Sequence, residues 1–451
     1  MLPSDLSPLS PALSLPTFPL LYLLPLTLLA SDRAIPAMAS AHQPSPAASA
    51  PSAPPMLRMI LLLAVVVCVP ALMMMIAAAI GAAAPDLKVV MKLTQPQVGL
   101  LAGTFFVAAG LSLPFAGRSV DRFGPTVCVM AGLAIAATGA GIFALAHGPA
   151  LAIAGYALIG ISYAVGPPAY GLLAARTLPP RVLPLGMAAL SFSIGVAVSL
   201  GSAIGQALPD DGGWRFSLLA LAVAAPVLAL LIWMLRGQIS SACGPLVGPD
   251  PAGKLSIVSI LGIREVRICC FVAFVMGGTL YSVGSLWSEF ISRVVWELAA
   301  DKCAFIVSIY WIATMIGAPT AALIALRASP FSLLRVMTAL ACLAVSAWVF
   351  GPRVMGAASA TPIVIFLGLV ISALPLAMAC AVRSGPKQRA GTCVGLVQSS
   401  SLIGSFALLW LPSLTVLIPG STASGRALVG GAVFVLLLGI AHVLTWRLRA
   451  S

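Results

Sequence analysis

Charge is scarce in this chain of 451 residues. Only 8% of its residues are charged, and eleven are acidic. A soluble domain carries about 25% charged residues and needs them to cover its surface. The shortage excludes a soluble enzyme. Histidine is scarcer still, with His42, His147 and His442 alone. An intramembrane enzyme needs convergent catalytic groups at a common depth, and none of the three pairs with a carboxylate in the sequence. The nine cysteines are scattered, with no CxxC pair and no His/Cys spacing of a metal site. Neither a metal nor a cofactor is expected. Basic runs are absent too. The net charge is +13, but the Lys and Arg residues stand singly, so no nucleic-acid partner is expected. Gly248 to Lys254 imitates a phosphate-binding loop. Leu255 replaces its Ser or Thr, and two prolines interrupt it, so ATP chemistry is not expected.

Apolar residues fill the place of charge, at 61% of the chain with mean hydropathy +1.10. They come in blocks of about 20, the length of a helix that spans a bilayer. Period-two alternation, the mark of a membrane β-barrel, is missing. Twelve blocks follow Met56, at about 57–84, 96–116, 126–147, 150–174, 184–207, 214–236, 267–291, 303–326, 333–351, 361–382, 391–417 and 424–446. The expected fold is an all-α polytopic membrane protein with twelve transmembrane helices in two pseudo-symmetric six-helix bundles.

The domain boundaries follow from composition. Residues 1–55 hold twelve of the 36 prolines, too many for a spanning helix. They read as a disordered tail, or as an extension ahead of a true start at Met38 or Met56. Residues 56–236 form the first bundle, 237–266 a central cytoplasmic loop, and 267–451 the second bundle. With the N-terminus inside, sixteen Lys and Arg fall on the cytoplasmic side and seven outside. The bias places both termini in the cytoplasm and accounts for most of the net charge.

The halves repeat. Arg118 and Arg327, Gly186 and Gly395, and Gly195 and Gly404 are each separated by 209 positions. Six spans is an even number, so the repeats run parallel, one of the recurring plans of transporters.

After the second block comes Gly117-Arg118-Ser119-Val120-Asp121-Arg122-Phe123-Gly124-Pro125. This loop resembles the signature of the major facilitator superfamily, a G-x-x-x-D-R-x-G-R type turn between spans two and three, with Pro125 in place of the final basic residue. Gly212-Gly213-Trp214-Arg215 before the sixth block is similar to another element of that superfamily. The resemblance implies a secondary transporter that moves a small organic solute by alternating access between the two bundles. Gly117, Arg118, Asp121, Arg122 and Gly124 would form a gating element. In it, Asp121 would pair with Arg118, with Arg122 or with a neighbouring helix end. Coupling would be to protons, to exchange, or to the solute gradient alone. The expected setting is the plasma (inner) membrane, with the lipid bilayer and the solute as partners and a monomeric chain. Proton-coupled drug exporters of the superfamily usually carry an arginine in the fourth span. Tyr156 ahead of Gly160 stands there instead, and a proton-coupled drug or metabolite efflux pump of the same fold is the alternative. A non-transporting receptor or an intramembrane enzyme is the alternative of another class.

Ionisable groups inside spans are costly and usually functional. Glu289 is the one candidate for a coupling carboxylate. It lies toward the outer end of its span, four residues before Arg293. No Lys or Arg sits mid-span, so the solute is expected to be neutral, weakly polar or a monocarboxylate. Cavity-lining candidates come from the spans that face the cavity in this superfamily. They are Thr104, Ser162, Tyr163, Tyr170, Tyr281, Ser285, Tyr310, Trp311, Thr314, Gln398 and Ser399.

Overall fold

The computed structural model describes residues 56–82, 87, 89–207, 213–244, 256–351, 355–409 and 422–448. The proline-rich segment 1–55 lies outside them. Among the described residues there is no strand. Twelve helical segments fall on the twelve apolar blocks. They are α1 (Met56–Ala82), α2 (Gln95–Phe123), α3 (Pro125–Ala144), α4 (Pro149–Thr177), α5 (Leu183–Ala207) and α6 (Gly213–Met234). After two short helices at Arg236–Cys243 and Ile257–Gly262 come six more. These are α7 (Arg264–Ser282, continuing through Val283–Trp287 to Ser288–Val294), α8 (Ala300–Ala325), α9 (Pro330–Phe350), α10 (Ala360–Ser384), α11 (Ala390–Leu409) and α12 (Ala423–Thr445).

Among the described residues, ten helices are long and apolar enough to cross a membrane by length and composition alone. The other two, α2 and α6, have 29 and 22 residues. At about 1.5 Å per residue each is also long enough to span. Short local signals set the ends. Proline stands in the first turn of α2, α3, α4 and α9, where its missing N–H costs nothing. The Thr94 backbone N–H donates to Gln97 Oε1 at 2.8 Å ahead of α2. Thr422 Oγ1 accepts from the Gly425 N–H at 3.1 Å at the start of α12.

Two helices are broken at matching places. α4 interrupts after Tyr163 and resumes at Gly166, beside Pro167 and Pro168. α10 interrupts after Ile371 and resumes at Leu374, beside Pro375. A proline removes one backbone donor and crowds the preceding turn. α7 instead carries a π turn at Val283–Trp287.

The packing repeats with the sequence. α5 lies against α1, α8 and α10, and α11 lies against α7, α2 and α4. Moving each helix by six places, forward from the first half and back from the second, turns one set into the other, the signature of two parallel six-helix halves. The halves meet along two seams, α5 with α8 and α10, and α11 with α2 and α4. Arg58 Nε donates to Gln238 Oε1 at 2.9 Å, tying the start of α1 to the short helix that follows α6. Near the last turn of α12 the Trp446 indole donates to His442 Nε2 at 3.1 Å. An indole nitrogen only donates, so the His442 ring proton sits on Nδ1, 3.2 Å from Thr338 Oγ1. His442 is thereby spent on joining α9 to α12.

Candidate functional site: a cavity between the halves and a latch at one end

The motif loop turns out to be a helix junction. Gly117 to Phe123 complete α2, and Pro125 opens α3. Gly124 between them has φ 87° and ψ 158°, a region essentially reserved for glycine that costs another residue on the order of 1–3 kcal/mol. Arg118 and Arg122 are exposed, and Arg122 lies 5.0 Å from the Phe123 ring centroid. Asp121 is 1% exposed and faces the first turn of α11. Its Oδ1 accepts the Gly391 N–H at 2.9 Å. Its Oδ2 accepts the Thr392 N–H at 2.8 Å and the Thr392 hydroxyl at 2.5 Å. Of the partners open to Asp121 in the sequence, the structure has the neighbouring helix end.

The chemistry suits the position. The first N–H groups of a helix lack intrahelical acceptors and carry the positive end of its dipole. A carboxylate satisfies both needs, and the positive charge of buried Arg389 attracts it further. The approach is close because α2 has no side chain at Gly117. A Cβ there would stand 2.6 Å from the Gly391 carbonyl oxygen. Further along, Ser399 Oγ donates to the Gly110 carbonyl at 2.6 Å. Small residues that admit a backbone at close range are a standard means of joining helices in lipid.

Between the halves lies a cavity of about 540 Å³, inside the range of small-molecule sites. One wall is α5, from Leu190 to Ser202. The other is built by α7, α8, the break of α10, and Gln398 of α11. Among the described residues its lining holds no Asp, Glu, Lys, Arg or His. Its polar groups are hydroxyls, one indole and one amide. Tyr281, Trp311, Thr314 and Gln398 are sequence candidates that line it. Tyr281 stands 6.0 Å from Trp311 and 6.4 Å from Phe106, centroid to centroid, so aromatic rings cross from one half to the other.

The remaining candidates with described side chains are off the wall, and their polar groups serve the packing. Thr104 donates to Leu100 O at 2.6 Å within its own helix. Tyr170 donates to Gly186 O at 2.8 Å, and Tyr310 to Leu280 O at 3.0 Å. Ser162 donates to Ile159 O at 2.7 Å, and Ser399 joins α11 to α2. Tyr163 stands behind the cavity, its hydroxyl accepting from Gln398 Nε2 at 3.4 Å. The side chains of Ser285 and Glu289 lie outside the described residues. Sequence reasoning missed Ser191, Ser199, Ser202, Ser308 and Ser372, which line the cavity. For Ser372 the signal was at hand in Pro375, which marks a broken helix. Breaks in spans are where transporters build sites.

Comparison with known proteins agrees with this architecture. The family model described as Major Facilitator Superfamily matches residues 62–409. A 2-nitroimidazole transporter of Escherichia coli (strain K12) is 35% identical over 156 residues, covering 34% of this chain and 39% of that protein. The efflux pump apf11 of Gibberella fujikuroi is 27% identical over 195 residues, covering 41% of this chain and 33% of that protein. The matches thus span well under half of either curated relative. Among solved structures, FucP in the outward conformation aligns with TM-score 0.67 at 15% identity, covering 87% of this chain and 100% of that one. A bacterial homologue of the iron transporter ferroportin aligns with TM-score 0.67 at 12% identity, covering 85% and 98%. The family model covers most of the chain and the fold agrees over nearly all of it, so the chain belongs to the major facilitator superfamily of membrane transporters.

Proposed function

We propose that this protein moves a small, uncharged or weakly polar organic solute, or a monocarboxylate, across the plasma membrane by alternating access. The two bundles, residues 56–236 and 267–451, rock about the cavity, with 237–266 as the cytoplasmic connection and both termini in the cytoplasm. The carrying observation is the cavity itself. It lies between the halves, its volume suits a small organic molecule, and its wall offers hydroxyls, an amide and an indole but no fixed charge among the described residues. A dianion would find no cation there to offset its dehydration.

Asp121 acts in this scheme as a latch. With α2 seated on the start of α11, the cytoplasmic ends of the halves are held together. Opening that side requires the carboxylate to leave Gly391 and Thr392 for water. Arg118 and Arg122 belong to the same gate at its solvent edge, and Gly117 and Gly124 set its backbone.

Export is the favoured direction, supported by the curated relative named an efflux pump, and the relative named a 2-nitroimidazole transporter supplies the first solute to try. Proton coupling through Glu289 is the variant of this scheme for which a carboxylate must enter the outer cavity. Counterflow separates the possibilities. Proteoliposomes of the full chain, preloaded with unlabelled 2-nitroimidazole, should take up the labelled compound saturably. Uptake no faster than into protein-free vesicles would remove that solute. Uptake unchanged by Glu289→Gln across an imposed pH gradient would remove the carboxylate's coupling role.

A further inference from the structure

The two seams are equivalent by the repeat but are closed differently. Along α2 and α11 the backbones touch from Gly117 and Gly391 to the Ser399–Gly110 hydrogen bond. Along α5 and α8 the contact is made by a flexible side chain. A Cβ on Gly195 would stand 3.2 Å from Met315 Cγ, and Ser199 Oγ lies 4.0 Å from Met315 Sδ. The cavity lies on this second seam. The helix breaks differ in the same sense. In α4 the break is packed, with Gly166 against Pro70. In α10 it opens to the cavity through Ser372, Leu374 and Pro375.

Two large apolar residues of the cavity wall are exposed. They are Phe192 and Ile312, 46% and 51% exposed. On α8, Ile312 shares one helical stripe with Phe305 and Ile316, which are 56% and 54% exposed and lie outside the cavity lining. Phe305 opens the apolar span of this helix and Ile316 lies midway along it. Large apolar side chains exposed on a spanning helix away from the cavity face hydrocarbon, not water. The stripe therefore runs from lipid-facing surface into the cavity wall and out again. Ser199 and Ser308 stand at this edge, hydroxyls among apolar groups.

We infer that the α5–α8 seam is a lateral mouth through which the cavity exchanges its ligand with the bilayer, and that the ligand is an uncharged amphiphile carried in the lipid. Its apolar part would pass between Phe192 and Ile312. Its hydroxyl or amide would exchange lipid-interface water for Ser199, Ser308 and then Gln398. The inference rests on the transport reading and narrows its substrate class.

The test uses the full chain in phospholipid nanodiscs. Phe192→Trp and Ile312→Trp, made separately, each add an emitter at one lip. The added emission, variant minus parent, should be quenched by brominated phospholipid and largely spared by acrylamide. Dodecanol should raise the melting temperature of the parent and of Phe305→Trp, which lies on the stripe outside the cavity. The rise should be lost in Ser199→Trp, which fills the mouth. Quenching of both lip variants by acrylamide alone would overturn the lateral mouth. So would a dodecanol shift undiminished in Ser199→Trp. Either result leaves the transport reading standing, because that reading is decided by counterflow of solute.

Discussion

Asp121 joins the end of α2 to the start of α11 through a single buried side chain. It is a carboxylate that accepts three hydrogen bonds from one helix start while its own helix ends. Leaving a buried donor without its acceptor costs about 1–3 kcal/mol. Asp121→Ala should therefore lower the melting temperature in detergent clearly. Asp121→Asn keeps one acceptor oxygen, loses the charge, and should fall between. The transport consequence differs from the stability one. A weakened latch favours the cytoplasm-open state, so Asp121→Asn should slow exchange even at temperatures where the protein stays folded. Exchange rates equal to the parent would remove the latch role and leave only a structural cap. Gly117 gives a second residue-scale prediction. Gly117→Val places atoms against Gly391 O and should destabilise by about 1–3 kcal/mol through overpacking. Gly391 is equally bound to be glycine, because a Cβ there would stand 2.7 Å from Asp121 Oδ1. Thermal unfolding of the purified variant reads the cost, and an unshifted midpoint would show that α2 and α11 do not depend on this contact.

At the scale of elements, breaks and irregular turns do what straight helices cannot. The π turn of α7 directs the Gly284 carbonyl to the Trp311 indole, which donates to it at 2.9 Å. α7 and α8 are joined there at the cavity wall. Trp311→Phe keeps an aromatic ring at the wall but removes the donor and the indole's five-membered ring. It should cost about 1 kcal/mol in stability, the typical net worth of a hydrogen bond, and alter solute affinity more than maximal rate. A KM unchanged in counterflow would mean that Trp311 only braces α7. These elements were unevenly legible in the sequence. The twelve apolar blocks lie over the twelve helices because spanning length and apolar composition are a one-dimensional signal. The start of α7 falls three residues earlier, at Arg264, since a charged first turn is compatible with a helix but not with an apolar block. The breaks at Gly166 and Leu374 were marked by neighbouring prolines. The π turn was not marked, because nothing in Val283–Trp287 breaks the apolar pattern.

For the whole molecule, the repeat and the family were legible in offsets of near 209 and in the 117–125 loop. The choice of cavity residues was only partly so. Tyr281, Trp311, Thr314 and Gln398 line the cavity, whereas Tyr170, Tyr310 and Ser399 do not. A hydroxyl on a spanning helix bonds a backbone carbonyl whether or not it lines the cavity, as Thr314 and Ser372 do on the wall and Tyr170 and Ser399 do off it. What separates them is how closely the neighbouring helices approach. Glycines on those helices help to set that approach, as at Gly110 for Ser399, so it is not a property of the residue's own segment. The same reasoning explains why the cavity sits on one seam. Gly117, Gly391 and Gly395 close α2 onto α11 backbone to backbone. α5 meets α8 through Met315, which leaves room.

The account's central claim is that solute crosses the membrane through this cavity as the halves rock. Counterflow in proteoliposomes, run on the parent and on Gln398→Ala with the same labelled solutes, tests it most directly. Gln398 lines the cavity, yet its bond to Tyr163 is long at 3.4 Å, so its loss should perturb the site more than the fold. The account predicts saturable exchange by the parent and a raised KM, with near-parental melting temperature, in Gln398→Ala. Saturable exchange with identical KM and maximal rate in the two proteins would contradict it, because the solute would then be crossing by a route that does not touch the cavity.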